Sequence, residues 1–450
     1  MSVRGTGLKS GQKLRRGKLI MGSNRELQSP AIRSPWWVRK WSPMRVHVII
    51  ALALFWCLPA HASTIKAASC SQSDVQTAIN SASTGDIVIV PGPCTAAWSS
   101  TVAIPSTVGL TVQASGVVTV TNAGFQLNQN SSTTSRVTGF TFTNQANCST
   151  GTPIQVSGSP GNATFRIDHN TFISPGNTSV LVCTSNNGPG LIDHNSFSAG
   201  CASEIIHDLG TASGWADDVV PGSLNMLYIE DNTFTNSGGG CVVQAEEAYT
   251  GSRGVFRHNT LFGVANDVHG GTNGGRWWEF YENTYNLGNL GALPNFVQFR
   301  GGSGLYYNNH AISVKSTTQL GPDCPSSDTC SGSWLVQYQM GAGINGSTRS
   351  PAYAWGNDSG MAPSLGPSTV SFVVGGTAPV DGTNCSGHPG NVCDYVVTSS
   401  KPATLLRCQS AADVAAGCPV SYSYTAATYP HPLQNPSSIA APTGLALVIN

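Results

Sequence analysis

The segments FRIDHNTF (Phe165–Phe172), GLIDHNSF (Gly190–Phe197) and LYIEDNTF (Leu227–Phe234) are versions of one phrase. GVFRHNTL (Gly254–Leu261), EFYENTY (Glu279–Tyr285) and LYYNNHA (Leu305–Ala311) continue it, and VTGFTF (Val137–Phe142) is a degenerate earlier copy. Their last residues lie 30, 25, 37, 27, 24 and 26 positions apart. A unit of about 25 residues with longer insertions marks a solenoid, in which each repeat buries its apolar face only against its neighbours.

Within each unit the apolar residues alternate. Ile167, Ile192, Ile229, Phe256, Phe280 and Tyr306 form one inward row, and Phe172, Phe197, Phe234, Leu261 and Tyr285 another. Period two with β-branched and aromatic residues is the pattern of a strand. An Asn row (Asn170, Asn195, Asn232, Asn259, Asn283, Asn309) falls where each strand meets a turn. Stacked Asn side chains can satisfy bent backbone that would otherwise be buried unpaired. Upstream, SQSDVQTAINSASTGDIVIVPG (Ser71–Gly92) offers Ser73 and Gln76 as a capping box and Val75 and Ile79 on one helical face, then a strand from Ile87. Such a helix would plug the open end of the solenoid.

These features resemble the pectin-lyase-like superfamily over roughly residues 64–365. The resemblance implies an all-β fold, a right-handed parallel β-helix with an N-terminal capping helix. After Ser364 the repeats fade into a stretch with four clustered cysteines and an aromatic, Pro-rich end, read as a small disulfide-bonded C-terminal cap packed on the last coil.

The formal charge of zero hides two unlike pieces. Residues 1–43 carry ten Lys or Arg against one acidic residue, whereas beyond residue 62 eleven basic residues face twenty-one acidic ones. An acidic body is not a basic-patch reader of nucleic acid. Between the pieces, Met44–Ser63 reads as a signal peptide: a basic start, an apolar run from Val46 to Leu58 and a small-residue cleavage site ending at Ala62. The expected organisation is an upstream mis-start or basic tail over 1–43, the signal over 44–62, the β-helix over 63–365, the cap over 366–436 and a linker or tail over 437–450. A secreted monomer, free of the membrane once cleaved, follows. Twelve cysteines remain after Cys57 leaves, and an even count in a secreted chain argues for disulfides between sequence neighbours. The expected pairs are Cys70–Cys94, Cys148–Cys183, Cys201–Cys241, Cys324–Cys330, Cys385–Cys393 and Cys408–Cys418.

The chain is only 10% charged, yet Arg257–Asn286 holds two histidines, two arginines and two glutamates; His258 keeps the repeat's His position, whereas His269, Arg276 and Glu279 differ from the repeat consensus. Stacking aligned positions about 4.8 Å apart on successive coils puts them on outward columns. One such column reads Asp168, Asp193, Glu230, Arg257, Tyr281, Tyr307, with Glu279 also outward; a second, on the following strand, includes His207, Gln244, Glu246, His269, Gln298 and Arg300. Trp277 and Trp278 add flat faces suited to sugar rings. The expected partner is therefore a polysaccharide.

Enzymes of the resembled superfamily cut acidic polysaccharides by β-elimination, which needs a neutralised uronate carboxylate and a base. On that reading His269 is the base, Arg276 and Arg300 hold the carboxylate and Glu279 completes the catalytic set. His207, Arg257, Glu246, Gln298, Trp277, Trp278 and Tyr281 bind substrate, and Glu230, Glu246 and Asp208 take Ca²⁺. A glycoside hydrolase using paired carboxyls is the alternative chemistry, and a carbohydrate-binding or adhesin solenoid the non-catalytic one.

Overall fold

The computed structural model describes residues 62–435, apart from residues 131, 144–147, 149–151, 159–160, 162, 175, 177–178, 186–187, 240, 271–273, 287–294, 314–316, 321–339, 347 and 359–394. The signal segment before residue 62, the tail 437–450 and the pairs Cys324–Cys330 and Cys385–Cys393 lie outside the described residues.

The chain is a parallel β-solenoid. Each coil contributes up to three short strands, and each strand pairs with its equivalent one coil away. Phe165–Asp168, Gly190–Asp193, Leu227–Glu230, Arg253–Arg257, Trp277–Tyr281 and Ser303–Tyr307 build the first row in parallel register. Thr171–Ser174, Ser196–Ala199, Thr233–Asn236, Thr260–Phe262 and Thr284–Asn286 build the second. The third row is a separate sheet of nine parallel strands, among them Val182–Ser185, Glu204–Leu209, Gln244–Tyr249, Ala265–Val268 and Asn295–Phe299.

The repeat phrase sets this architecture as expected. Ile167, Ile192, Ile229, Phe256, Phe280 and Tyr306 are in register and essentially inaccessible. In the second row Phe142, Phe172, Phe197 and Phe234 stack with centroids 5.1, 4.6 and 4.9 Å apart. Each pair adds about 0.5–1.5 kcal/mol beyond its buried area.

Between the first and second rows the chain turns through one left-handed residue per coil. His169, His194, Asp231, His258, Glu282 and Asn308 all have φ between 52° and 57°. Asn, Asp and His tolerate this region best, which explains most of the residue types before each Asn. The Asn ladder then closes the corner. Asn195 Oδ1 accepts from Asn170 N and Nδ2 at 3.0 and 3.2 Å, and the pattern repeats through Asn232, Asn259, Asn283 and Asn309 to Asn357. Asn357 lies 48 residues past Asn309, outside the repeat spacing.

The helix Gln72–Ser81 buries Val75, Ala78 and Ile79 against the first coil. Its cap is Ser71, accepting from Asp74 N, and not the Ser73–Gln76 box. Four expected disulfides form: Cys70–Cys94, Cys148–Cys183, Cys201–Cys241 and Cys408–Cys418.

Residues 395–435 do more than close the last coil. Tyr395–Thr398 adds a parallel strand to the first row. A hairpin of Leu405–Arg407 and Val420–Tyr422 follows, tied by Cys408–Cys418. From Tyr424 the chain runs back across the outside of the first row. Tyr424 touches the coil of Glu279, Ala427 and Thr428 that of Arg257, His431 that of Glu230, and Leu433 that of Arg166. We call Tyr424–Gln434 the strap.

Candidate functional site

The two outward columns meet different fates. The first-row column is sealed. Arg257 donates to Glu230 at 2.5 Å, to Tyr281 Oη at 2.8 Å and to the strap carbonyls of Ala427 and Thr428 at 2.9 Å each. Glu230 also accepts from His431 N and Gln434. Glu279 accepts from Trp277 Nε1, Gly222 N and Tyr424 Oη at 2.9, 2.7 and 2.8 Å, and burial raises its pKa. Arg276 donates to the carbonyls of Gly214, Asp217 and Gln409; burial, then Arg253, lowers its pKa. Arg257, Arg276, Glu230 and Glu279 are all inaccessible.

These residues were expected to line a groove. They fasten the strap and the 211–218 loop instead: Arg257 and Glu230 pair with each other, while Arg276 and Glu279 are held by hydrogen bonds to backbone and aromatic side chains, since a buried charge needs partners. Trp277 and Tyr281 lie in the apolar cluster beneath the strap, with Tyr281 stacked on Tyr307 at 4.6 Å. Trp278 points into the solenoid and stacks on Phe299 at 3.8 Å. Asp168 and Asp193 are likewise buried, paired with Arg136 and Arg166.

The third-row face stays open. His207, Tyr249, His269, Gln298 and Arg300 are half-buried on its outer surface, over the buried carboxyls of Glu247 and Asp267. Adjacent coils supply them in register: His207 pairs with Glu247, Glu247 with Asp267, and Asp267 with Gln298. Tyr249 lies between two imidazoles, 4.6 Å from His207 and 4.7 Å from His269 by ring centroids. The Cys148–Cys183 disulfide braces one edge, with Cys148 Sγ 3.5 Å from His207 Nδ1.

Electrostatics differentiate these groups. Glu247 is pushed up to about 9 by burial, then by its hydrogen bond to Glu204 and the charge of Asp267, so it is a neutral acid at pH 7. Tyr249 donates to Glu247 Oε1, and burial raises the phenol further, so it keeps its proton. His207 is lowered, first by burial and also by His269, against the pull of Glu204. Arg300 is paired with Asp267, which also accepts from Gln244 at 3.2 Å. His269 Nδ1 sits 2.8 Å from the carbonyl of Gly270. A carbonyl only accepts, so Nδ1 carries a proton, and in that neutral tautomer Nε2 is the nitrogen with the lone pair.

The expectation for Glu246 and Asp208 fails for a local reason. Between Gln244 and Glu247 the register to the next strand slips by one residue, a bulge. A one-residue slip exchanges the two faces of a strand, so Glu247 faces out and Glu246 in. Asp208 also points inward, accepting from Thr184 at 2.9 Å, and burial pushes it up to about 7. Burial, Asp208 and Asp267 raise Glu246 further. With Glu230 held by Arg257 on another row and these two inside, the expected Ca²⁺ ligands do not converge. Sequence reasoning missed Glu247, Tyr249 and Asp267. The doubled Glu246–Glu247, which breaks the alternation, was the available signal.

No family model matches the chain, and no curated protein does. Among solved structures the chain is similar to a mutant of a PL6 family alginate lyase, at 13% identity and a TM-score of 0.29, over 82% of this chain. The match spans 57% of that protein's length.

Proposed function

We propose that this protein is a secreted lyase that cleaves an acidic polysaccharide by β-elimination on the outer face of the third row. The observation that carries the reading is His269, its tautomer set by Gly270, beside Tyr249, a phenol held protonated by its surroundings. β-Elimination needs a base for the proton next to the uronate carboxylate and an acid for the departing glycosidic oxygen. His269 Nε2 takes the first proton and Tyr249 Oη supplies the second. Glu247 then hydrogen-bonds the phenolate left behind.

The uronate carboxylate must be held as its neighbouring carbon loses a proton. Arg300 and Gln298 lie on the adjacent coil, where the Arg300 guanidinium, its Nε and Nη2 bonded to Asp267, would supply positive charge and Gln298 an amide donor. Neutral Glu247 adds no repulsion to the bound anion. Arg276 and Glu279 take no part, being sealed under loop and hairpin contacts.

The test is ultraviolet absorbance of unsaturated uronate ends as the secreted protein meets a panel of uronic-acid polysaccharides. Absorbance that rises on at least one of them supports the lyase. New reducing ends without unsaturation would assign the face to hydrolysis, and the absence of any cleavage would leave it a binding surface.

A further inference from the structure

The second row presents the third side of the solenoid, and its outward positions follow a rule that neither the core nor the lyase reading needs. The first column holds a hydroxyl in eight successive coils, in unbroken lateral register from Thr119 through Thr141, Thr171, Ser196 and Thr233 to Thr260 and Thr284, with Thr95 ahead of them. Two residues along each strand, a second column adds Thr121, Thr143, Ser198 and Thr235, interspersed with Ala97, Ile173, Phe262 and Asn286. All sixteen positions are exposed or half-buried, and none is charged.

The hydroxyls are unengaged. Among the described residues, none of the twelve Thr and Ser side chains on this face hydrogen-bonds to the chain. Threonines elsewhere behave otherwise: Thr134 bonds Thr164, Thr184 bonds Asp208 and Thr348 bonds Ile344. The face is thus a lattice of free hydroxyls and methyls, about 4.8 Å apart across the strands and about 6.6 Å apart along them.

We propose that this face binds the surface of ice. Water oxygens in ice repeat on this scale in two dimensions, and a rigid array of matching pitch can hold a first layer of water in the same arrangement. Methyl groups favour that layer by ordering the water over them, while the hydroxyls anchor it by hydrogen bonds. Charge would draw water into an incompatible hydration shell, and the array carries none. A polysaccharide partner is less well matched. Sugar faces are gripped by aromatic planes and by planar or charged hydrogen-bonding groups, and Phe262 is the one aromatic ring among the sixteen positions. The Asn ladder and the stacked phenylalanines behind the row supply the rigidity that a lattice match demands.

The test is slow growth of ice in a solution of the full secreted chain, measuring how much protein is incorporated relative to serum albumin, together with thermal hysteresis. The wild type is expected to enter the ice and to depress the freezing point below the melting point. Thr233→Lys and, independently, Thr171→Lys place a charge mid-array, and each should cut incorporation about tenfold. Val414→Lys, at an exposed site on the Ala411–Ala415 helix away from the second row, should leave it unchanged. Circular dichroism and melting temperature confirm folding, and the second lysine variant preserves the test if one misfolds. Exclusion of the wild type from ice at the albumin level overturns the proposal. So does full incorporation of both folded lysine variants, or binding to insoluble cellulose or chitin in place of ice.

Discussion

Two clusters of charge, on two faces of one solenoid, look alike in sequence and do opposite work. On the first row, Arg257, Glu230, Arg276 and Glu279 are inaccessible, and their bonds run to a strap and loops far along the chain. On the third row, His207, Tyr249, His269 and Arg300 remain half-buried; the ring of Tyr249 lies against both imidazoles, and Tyr249 and Arg300 bond to the two carboxyls beneath. Concentrated charge therefore marks either a place where backbone must be held or a place left open, as the proposed reaction requires. Accessibility separates the two, and composition does not.

Substitutions on the two faces should separate accordingly. The largest effect expected is from His269→Ala, which should lower the lyase rate by about 10²–10⁴-fold while leaving the melting temperature in place. An unchanged rate would remove His269 from the chemistry. Arg257→Ala should do the reverse. It leaves Glu230 buried without its cation and the carbonyls of Ala427 and Thr428 without a donor, costing about 3–5 kcal/mol of stability by denaturant unfolding. If that variant is as stable as the wild type, the strap is not fastened as described.

A smaller loss is expected from Asn259→Ala in the corner ladder, because it strips partners from Asn232 N and from the carbonyls of Ile229 and Arg257. About 1–3 kcal/mol is the usual cost of a buried group left unpaired. It should appear as a lower unfolding midpoint, with activity per folded molecule preserved.

The remaining effect concerns pH. Glu247 at about 9, Asp208 at about 7 and Glu246 hold protons in the folded state at pH values where the unfolded chain has ionised. The folded state then binds more protons than the unfolded one, so stability falls as pH rises from the ordinary carboxylate range toward about 9. Glu247→Gln, neutral at every pH, should flatten the upper part of a melting-temperature profile. An identical slope in the variant would mean that Glu247 is ionised in the native protein.

The repeat made the fold readable. Short-range alternation and an Asn at fixed phase specify strand, corner and stacking together, and the inward rows and ladder appear where the pattern puts them. The site was legible only in part. His207, His269, Gln298 and Arg300 could be placed because their strands keep phase with neighbouring coils. Glu246 and Glu247 were exchanged because one inserted residue inverts the count. The burial of Arg257, Glu279 and their neighbours was invisible because their partners lie 145 to 201 residues away along the chain, beyond any local periodicity. The strap segment gave its own hint: a Tyr- and Pro-rich stretch has flat faces with which to cover a sheet.

On the proposed reading the open third-row face carries the chemistry, and the sealed first-row column fastens the strap. The most direct test is the rate of unsaturated uronate formation, per folded molecule, by His269→Ala and by Glu279→Gln. The first should be inactive, and the second should work at close to the wild-type rate while melting at a lower temperature. An inactive, fully stable Glu279→Gln beside an active His269→Ala would contradict it.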